Sequence, residues 1–155
     1  AECAFGYRSS IFKELGDEII LSATFRLSRG DGEVIKKSID EKITYRKDHH
    51  PMEYPNIGSI FKNVAASRFP KEKLSRVSGV MKRDPFPVIP TAYLISEVGL
   101  GGVSSGGAMI SPKHPNFIVN ALGAKAEDVY ALIELIKREV KKEFNVDLEQ
   151  EVQSV

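Results

Sequence analysis

The chain has 155 residues, with 22 Lys+Arg against 21 Asp+Glu and a formal net charge of +1. That balance argues against a nucleic-acid binder held by charge, and no apolar run approaches the roughly 18 residues that a membrane-spanning helix requires. At 42% hydrophobic and 28% charged residues, the composition is that of an ordinary globular protein, sized for one compact domain or two small ones.

Taken in chain order, the first clear element is the stretch from Glu18 to Ser28. Ile19, Leu21, Ala23, Phe25 and Leu27 alternate with Ile20, Ser22, Thr24 and Arg26, and a period of two predicts a half-buried strand. Gly30-Asp31-Gly32 ends it. Val34, Ile35, Ile39 and Ile43 then recur at helical spacing, with lysines at 36, 37 and 42 on the other face, which predicts a helix over 32–46. From Asp48 to Pro90 the periodicity is lost among His49-His50-Pro51, Tyr54-Pro55-Asn56, Gly58-Ser59 and then Pro85, Pro87 and Pro90, so a long, functional or mobile loop region is expected.

Thr91 is placed to cap a short helix that runs to Val98 and stops at Gly99. Short strands are expected at 108–110 and 117–119. Glu127 and Asp128 then open the strongest helix, whose stripe is Val129, Leu132, Ile133, Ile136, Val140 and Phe144 and whose later turns carry Lys137, Arg138, Lys141 and Lys142, as the helix dipole favours. Residues 146–152 alternate again and read as a final strand. Strands and helices that do not alternate regularly imply an α+β class.

The one cysteine, Cys3, has no partner for an internal disulfide and no zinc-type spacing around it, which fits a reducing, cytoplasmic setting. His49, His50 and His114 lack metal-ligand spacing, so no metal is expected. The opening residues, Ala1-Glu2-Cys3, read like the inside of a domain, and a fragment is expected.

Two stretches could carry chemistry. Tyr54–Asn63 sets Gly58 beside the hydroxyl of Ser59, the cation of Lys62 and the amide of Asn63, a group able to hold an anion and offer a proton; a plain Gly-Ser turn is the competing reading. The run from Gly99 to Ala108 is rich in glycine, as a phosphate loop is, but it matches neither GxGxxG after a strand nor GxxxxGK[ST]. A flexible or tightly turning connector is at least as good a reading. The residues alone therefore lead to an α+β domain with a mildly cationic, glycine-rich loop region suited to a phosphorylated or carboxylated small molecule.

Five collinear segments add to this: residues 3–13 (Cys-Ala-Phe-Gly-Tyr-Arg-Ser-Ser-Ile-Phe-Lys), 51–63 (Pro-Met-Glu-Tyr-Pro-Asn-Ile-Gly-Ser-Ile-Phe-Lys-Asn), 92–100, 106–120 and 148–152 (Leu-Glu-Gln-Glu-Val). Together they resemble the C-terminal half of the UDP-N-acetylenolpyruvoylglucosamine reductases, also called UDP-N-acetylmuramate dehydrogenases. The resemblance implies a small antiparallel or mixed sheet with flanking helices as a substrate-binding domain over 37–155. It further implies that residues 1–36 hold the tail strands of a truncated FAD-binding domain, whose N-terminal remainder is then a partner missing from this chain. It implies FAD and NADPH as cofactors and UDP-N-acetylglucosamine enolpyruvate as substrate, reduced to UDP-N-acetylmuramate for peptidoglycan precursors.

Carried over by motif, Arg8 would be the cation on the enolpyruvyl carboxylate, Ser59 the proton donor, and Glu151 an acid sharing a proton with that carboxylate. Lys62 and Asn63 would orient Ser59 or meet the diphosphate, with Arg46 and Lys47 as further phosphate ligands. Gly101 stands where the family often has lysine, Gln150 where it has proline, and Val64 where proline is commoner. A nucleotide-sugar binding module without redox activity, or a purely structural domain, are the alternatives.

Overall fold

The computed structural model describes residues 3–153. It divides into two compact units, Ala1–Lys42 and Ile43–Val155, considered separately here.

In the first unit, the amides of Gly6 and Ser9 each donate to the other's carbonyl (3.1 and 3.3 Å) across a tight turn. Helix α1 (Ile11–Leu15) follows and ends at Gly16, whose φ of 70° suits a residue without a side chain. Helix α2 (Gly32–His49) begins where the Asp31 carboxylate accepts the amides of Glu33 (2.9 Å) and Val34 (3.0 Å), an N-cap that satisfies two otherwise orphaned donors. The helix expected over 32–46 is therefore present, three residues longer, and crosses the division between the units.

The strand expected over 18–28 is not formed. The backbone there joins no ladder, and Ile19, Leu21, Phe25 and Leu27 are 86%, 93%, 80% and 86% exposed. A strand needs a neighbour for its hydrogen bonds and a layer for its apolar face, and the described residues of this unit supply neither. The expected FAD-domain tail strands are accordingly absent among the described residues.

The second unit is the α+β part. Strands β1 (Asn56–Ser59), β2 (Val64–Ala65), β3 (Val88–Ile89), β4 (Ser104–Ser105), β5 (Ala108–Ile110) and β6 (Phe117–Asn120) form two antiparallel sheets, β1-β6-β5-β4 and β2-β3. Single-turn helical segments, including α3 (Leu74–Val77), fill the span between β2 and β3. The stretch expected to be loop thus contains three strands, each too short for periodicity to register. Helix α4 (Thr91–Glu97) and helix α5 (Ala126–Phe144) complete the unit.

Helix α5 packs against β4, β5 and α4, and its buried residues Leu132, Ile133, Ile136, Val140 and Phe144 are the stripe expected from spacing. They meet Ile110, Ile118, Leu94 and Ile95 in one core. Asn145 closes the helix with φ 57°, its amide on the Lys141 carbonyl at 2.8 Å. The expected final strand over 146–152 is instead an extended segment with one bridge, Phe61 to Gln150, although its alternation is real: Val146 and Leu148 are buried.

Candidate active site

The stretch from Ser59 to Asn63 is gripped from both sides. On one side β1 pairs with β6, Asn56 opposite Val119 and Ser59 opposite Phe117. Two residues of β1, Ile57 and Gly58, thus oppose one of β6, Ile118, a bulge that needs a residue able to turn sharply; Gly58 sits in it with φ 87°. The Asn56 side chain accepts the Gly58 amide at 3.1 Å and donates to the Pro51 and Tyr54 carbonyls, fixing the bulge from behind. On the other side lies the C-terminal segment: the Glu151 amide donates to the Ile60 carbonyl (2.8 Å), and the Lys62 amide to the Glu149 carbonyl (2.9 Å).

Ser59 and Glu151 are thereby brought to the two flanks of one backbone hydrogen bond. Both are half-buried. Lys62 extends its ammonium to the Glu149 carboxylate, which Arg68 also reaches at 3.2 Å. The hydrogen bond from Lys62, aided by Arg68, holds the Glu149 carboxyl below the usual glutamate range. Asn63 reaches forward: its side-chain oxygen accepts the Thr91 amide (3.1 Å), and the Thr91 hydroxyl donates to the Lys62 carbonyl (2.6 Å). Thr91 was expected to cap α4; the helix begins at Thr91 itself, after Pro90, and Asn63 supplies the capping oxygen from 28 residues away.

Asn116, 3% exposed, completes the grip. Its side chain accepts the Phe61 amide (3.0 Å) and donates to the Phe61 carbonyl (2.9 Å), while its own carbonyl accepts the Ile60 amide at 2.8 Å. Neither Asn116 nor Glu149 was singled out from the residues: one reads as a loop polar residue and the other as a solvated charge. The only signal for either is that it lies within a segment carrying the family resemblance.

Of the remaining expected site residues, Arg46 and Lys47 belong to the second unit and Arg8 to the first. Arg46 and Lys47 are exposed on the last turns of α2, where the Lys47 carbonyl accepts the ammonium of Lys113 (2.6 Å). His50, just after α2, meets His114 edge-to-face with ring centroids 5.1 Å apart, and both rings pack on Phe117. Burial, first, then neighbouring Arg46 for His50 and His50 for His114, lowers both imidazole pKa values. Arg8 belongs to the first unit, exposed in the turn after Gly6 with φ 56°, a left-handed conformation costing an ordinary residue about 1–2 kcal/mol.

The glycine-rich run does not make a cradle. Gly106-Gly107 is the two-residue turn between β4 and β5, and a Cβ on Gly107 would lie 2.5 Å from the Ala124 nitrogen. Among the described residues no group of three or more His, Cys, Asp or Glu could hold a metal ion, and no helix is long and apolar enough to cross a membrane.

With this geometry in view, comparison with known proteins is decisive for the family. Residues 50–155 match the family of UDP-N-acetylenolpyruvoylglucosamine reductase, C-terminal domain. The chain belongs to that family. It is similar to the UDP-N-acetylenolpyruvoylglucosamine reductase of Fervidobacterium nodosum, 40% identical over 152 residues that make up 98% of this chain and 42% of the relative. To that of Carboxydothermus hydrogenoformans it is 41% identical, over 98% of this chain and 43% of the relative. The crystal structure of UDP-N-acetylenolpyruvylglucosamine reductase from Thermus caldophilus superposes with a TM-score of 0.53 at 31% identity, covering 83% of this chain and 38% of the other. The chain thus spans less than half the length of these relatives, and it matches the C-terminal part of the reductase.

Proposed function

We propose that this chain is the substrate-binding and proton-donating half of a UDP-N-acetylenolpyruvoylglucosamine reductase. The parent would be a cytoplasmic enzyme that uses FAD, recharged by NADPH, to reduce the enolpyruvyl ether of UDP-N-acetylglucosamine to UDP-N-acetylmuramate. Residues 37–155 are read as the substrate-binding domain and 1–36 as the remnant of the flavin domain. The observation that carries the reading is the convergence of the Ser59 and Glu151 segments on the Ile60 carbonyl, within a chain whose family is that of the reductase.

The described residues do not fit a dinucleotide cofactor. In their one glycine-rich run, Gly106 and Gly107 form a hairpin turn in which Gly107 packs against the backbone of residues 122–124, and the amides of Gly99, Gly102 and Gly107 are given to the Ser96 carbonyl, the Ile110 carbonyl and the Asp128 carboxylate and not to a pyrophosphate. The flavin site is therefore assigned mostly to the region that the relatives carry and this chain does not, and the roles that follow are those of the present residues alone.

Reduction of the enolpyruvyl double bond adds hydride at the methylene carbon and a proton at the adjacent carbon, with an enolate between. The guanidinium of Arg8 offers two parallel N–H donors to the developing carboxylate charge. Glu151 shares a proton with that carboxylate, and the Ser59 hydroxyl gives its proton to the enolate carbon, its alkoxide being reprotonated from water. Lys62, Asn63, Arg46 and Lys47 are the candidates for the diphosphate.

The test is Ser59→Ala in the full-length reductase. Reoxidation of the reduced flavin by substrate is expected to slow by roughly 10²- to 10⁴-fold, with reduction of the flavin by NADPH nearly unchanged. Equal loss of both half-reactions in stopped-flow traces would contradict the assignment.

A further inference from the structure

We propose that Asn116 is a positioning residue for the proton-transfer step, acting through the backbone of Phe61 to set the direction of Ser59. The proposal rests on the reading of Ser59 as proton donor.

The pairing around Phe61 shows why a side chain is needed there. Phe61 is bridged to Gln150 through the Ile60 carbonyl and the Lys62 amide, so the amide and carbonyl of Phe61 itself face away from that segment. On the other side the backbone offers them no partner, since the Asn116 carbonyl already accepts the Ile60 amide at 2.8 Å and the Phe117 amide is bonded back to the His114 carbonyl at 2.9 Å. The amide and carbonyl of the buried Phe61 would therefore be left unpaired by the backbone.

Asn116 prevents this by imitating a peptide unit. Its side-chain oxygen takes the Phe61 amide and its side-chain nitrogen the Phe61 carbonyl, so the ladder gains a rung that the backbone could not provide. Only a primary amide of this length offers one donor and one acceptor in such an arrangement.

The rung matters because of what surrounds it. Upstream of Ser59 is a glycine bulge and downstream is Phe61, so the direction of the Ser59 side chain is set by how firmly those two points are held. Gly58 is held by Asn56 and Phe61 by Asn116. One buried side chain thus governs where the Ser59 hydroxyl stands relative to the reacting carbon, and misplacement on the scale of 1 Å costs about 10²-fold in rate.

The experiment is a double-mutant cycle in the full-length reductase, with rates normalised to bound flavin. Asn116→Ala and Asn116→Asp are each combined with Ser59→Ala; the Asp variant keeps the acceptor for the Phe61 amide and loses the donor to its carbonyl. Each single change at 116 is expected to slow substrate-driven reoxidation of the flavin by about 10- to 10²-fold, with substrate dissociation constants little changed. In the Ser59→Ala background neither should slow it further.

A residue that merely supports the fold would give the same factor in both backgrounds, and that result overturns the positioning role. Ser59→Ala without effect overturns the proton-donor reading, and this proposal with it. In the unsubstituted enzyme the Asn116 side-chain amide should exchange slowly with solvent by NMR; fast exchange overturns the clamp independently of any variant's folding.

Discussion

The Glu149 carboxylate neutralises the cation nearest to Ser59 in sequence. Lys62, expected to orient the serine or meet a diphosphate, directs its ammonium to Glu149, with Arg68 on the other oxygen. An arriving diphosphate would compete with that carboxylate for the same ammonium. The pair is partly solvated, 26% and 51% exposed, so its contribution to stability is at most about 1 kcal/mol. Because Lys62 and Arg68 hold the Glu149 carboxyl below its ordinary range, the contribution is complete above the pH at which a free glutamate titrates. It is lost as the pH falls through the lower, folded value. Urea melts of Glu149→Gln as a function of pH are therefore expected to show a shallower loss on the acid side than the parent sequence, the parent being more stable by up to about 1 kcal/mol at neutral pH and the two converging at low pH. An unchanged acid slope would remove the pair from the account.

The long apolar stripe of α5 and the short apolar runs of β5 and β6, expected at 108–110 and 117–119 and found there, are legible in the sequence; the remaining short strands are not. Helix α5 announces itself because Leu132, Ile133, Ile136, Val140 and Phe144 share one face and burial follows the face. Residues 18–28 announce a strand equally clearly, yet a strand is defined by a neighbour that the described residues lack. Strands β2 and β4 are two residues long, below any period. At the candidate site the cluster around Ser59 could be suspected from its residue types, whereas Arg8 and Glu151 were reachable only through the resemblance. Asn116 was invisible because its partner is 55 residues away.

The contact between the end of α2 and the loop before β6 belongs to the same class. His50 and His114 meet there on Phe117, with Arg46, His49, Lys113 and Lys82 adding positive charge around them. Burial lowers both imidazole pKa values, so the unfolded chain binds protons that the folded one refuses, and stability falls as pH drops from about 6.5 towards the folded values. Thermal melts of His114→Asn are expected to be flatter than those of the parent sequence across that window. An equally steep profile would show that the pair is indifferent to protonation.

At the scale of the whole molecule, the first unit exposes what the second buries. Ile19, Leu21, Phe25 and Leu27 lie open, as do Val34, Ile35 and Ile39 along α2, and an alternating apolar segment with unpaired backbone is an incomplete piece of sheet. If residues 1–36 are the remnant of a flavin domain, the region present in the relatives and absent here must supply the missing neighbour. Hydrogen exchange distinguishes the two conditions. In the isolated chain, the amides of 18–28 are expected to exchange at nearly the free-peptide rate, while those of α5 around Ile133 and Ile136 are protected to the limit set by global unfolding. In the full-length reductase the same 18–28 amides should be slowed by at least about 10²-fold, equivalent to about 3 kcal/mol of local opening energy. Exchange at the free rate in both proteins would show that the alternation is not a strand at all, and the division of the chain at residue 36 would have to be redrawn.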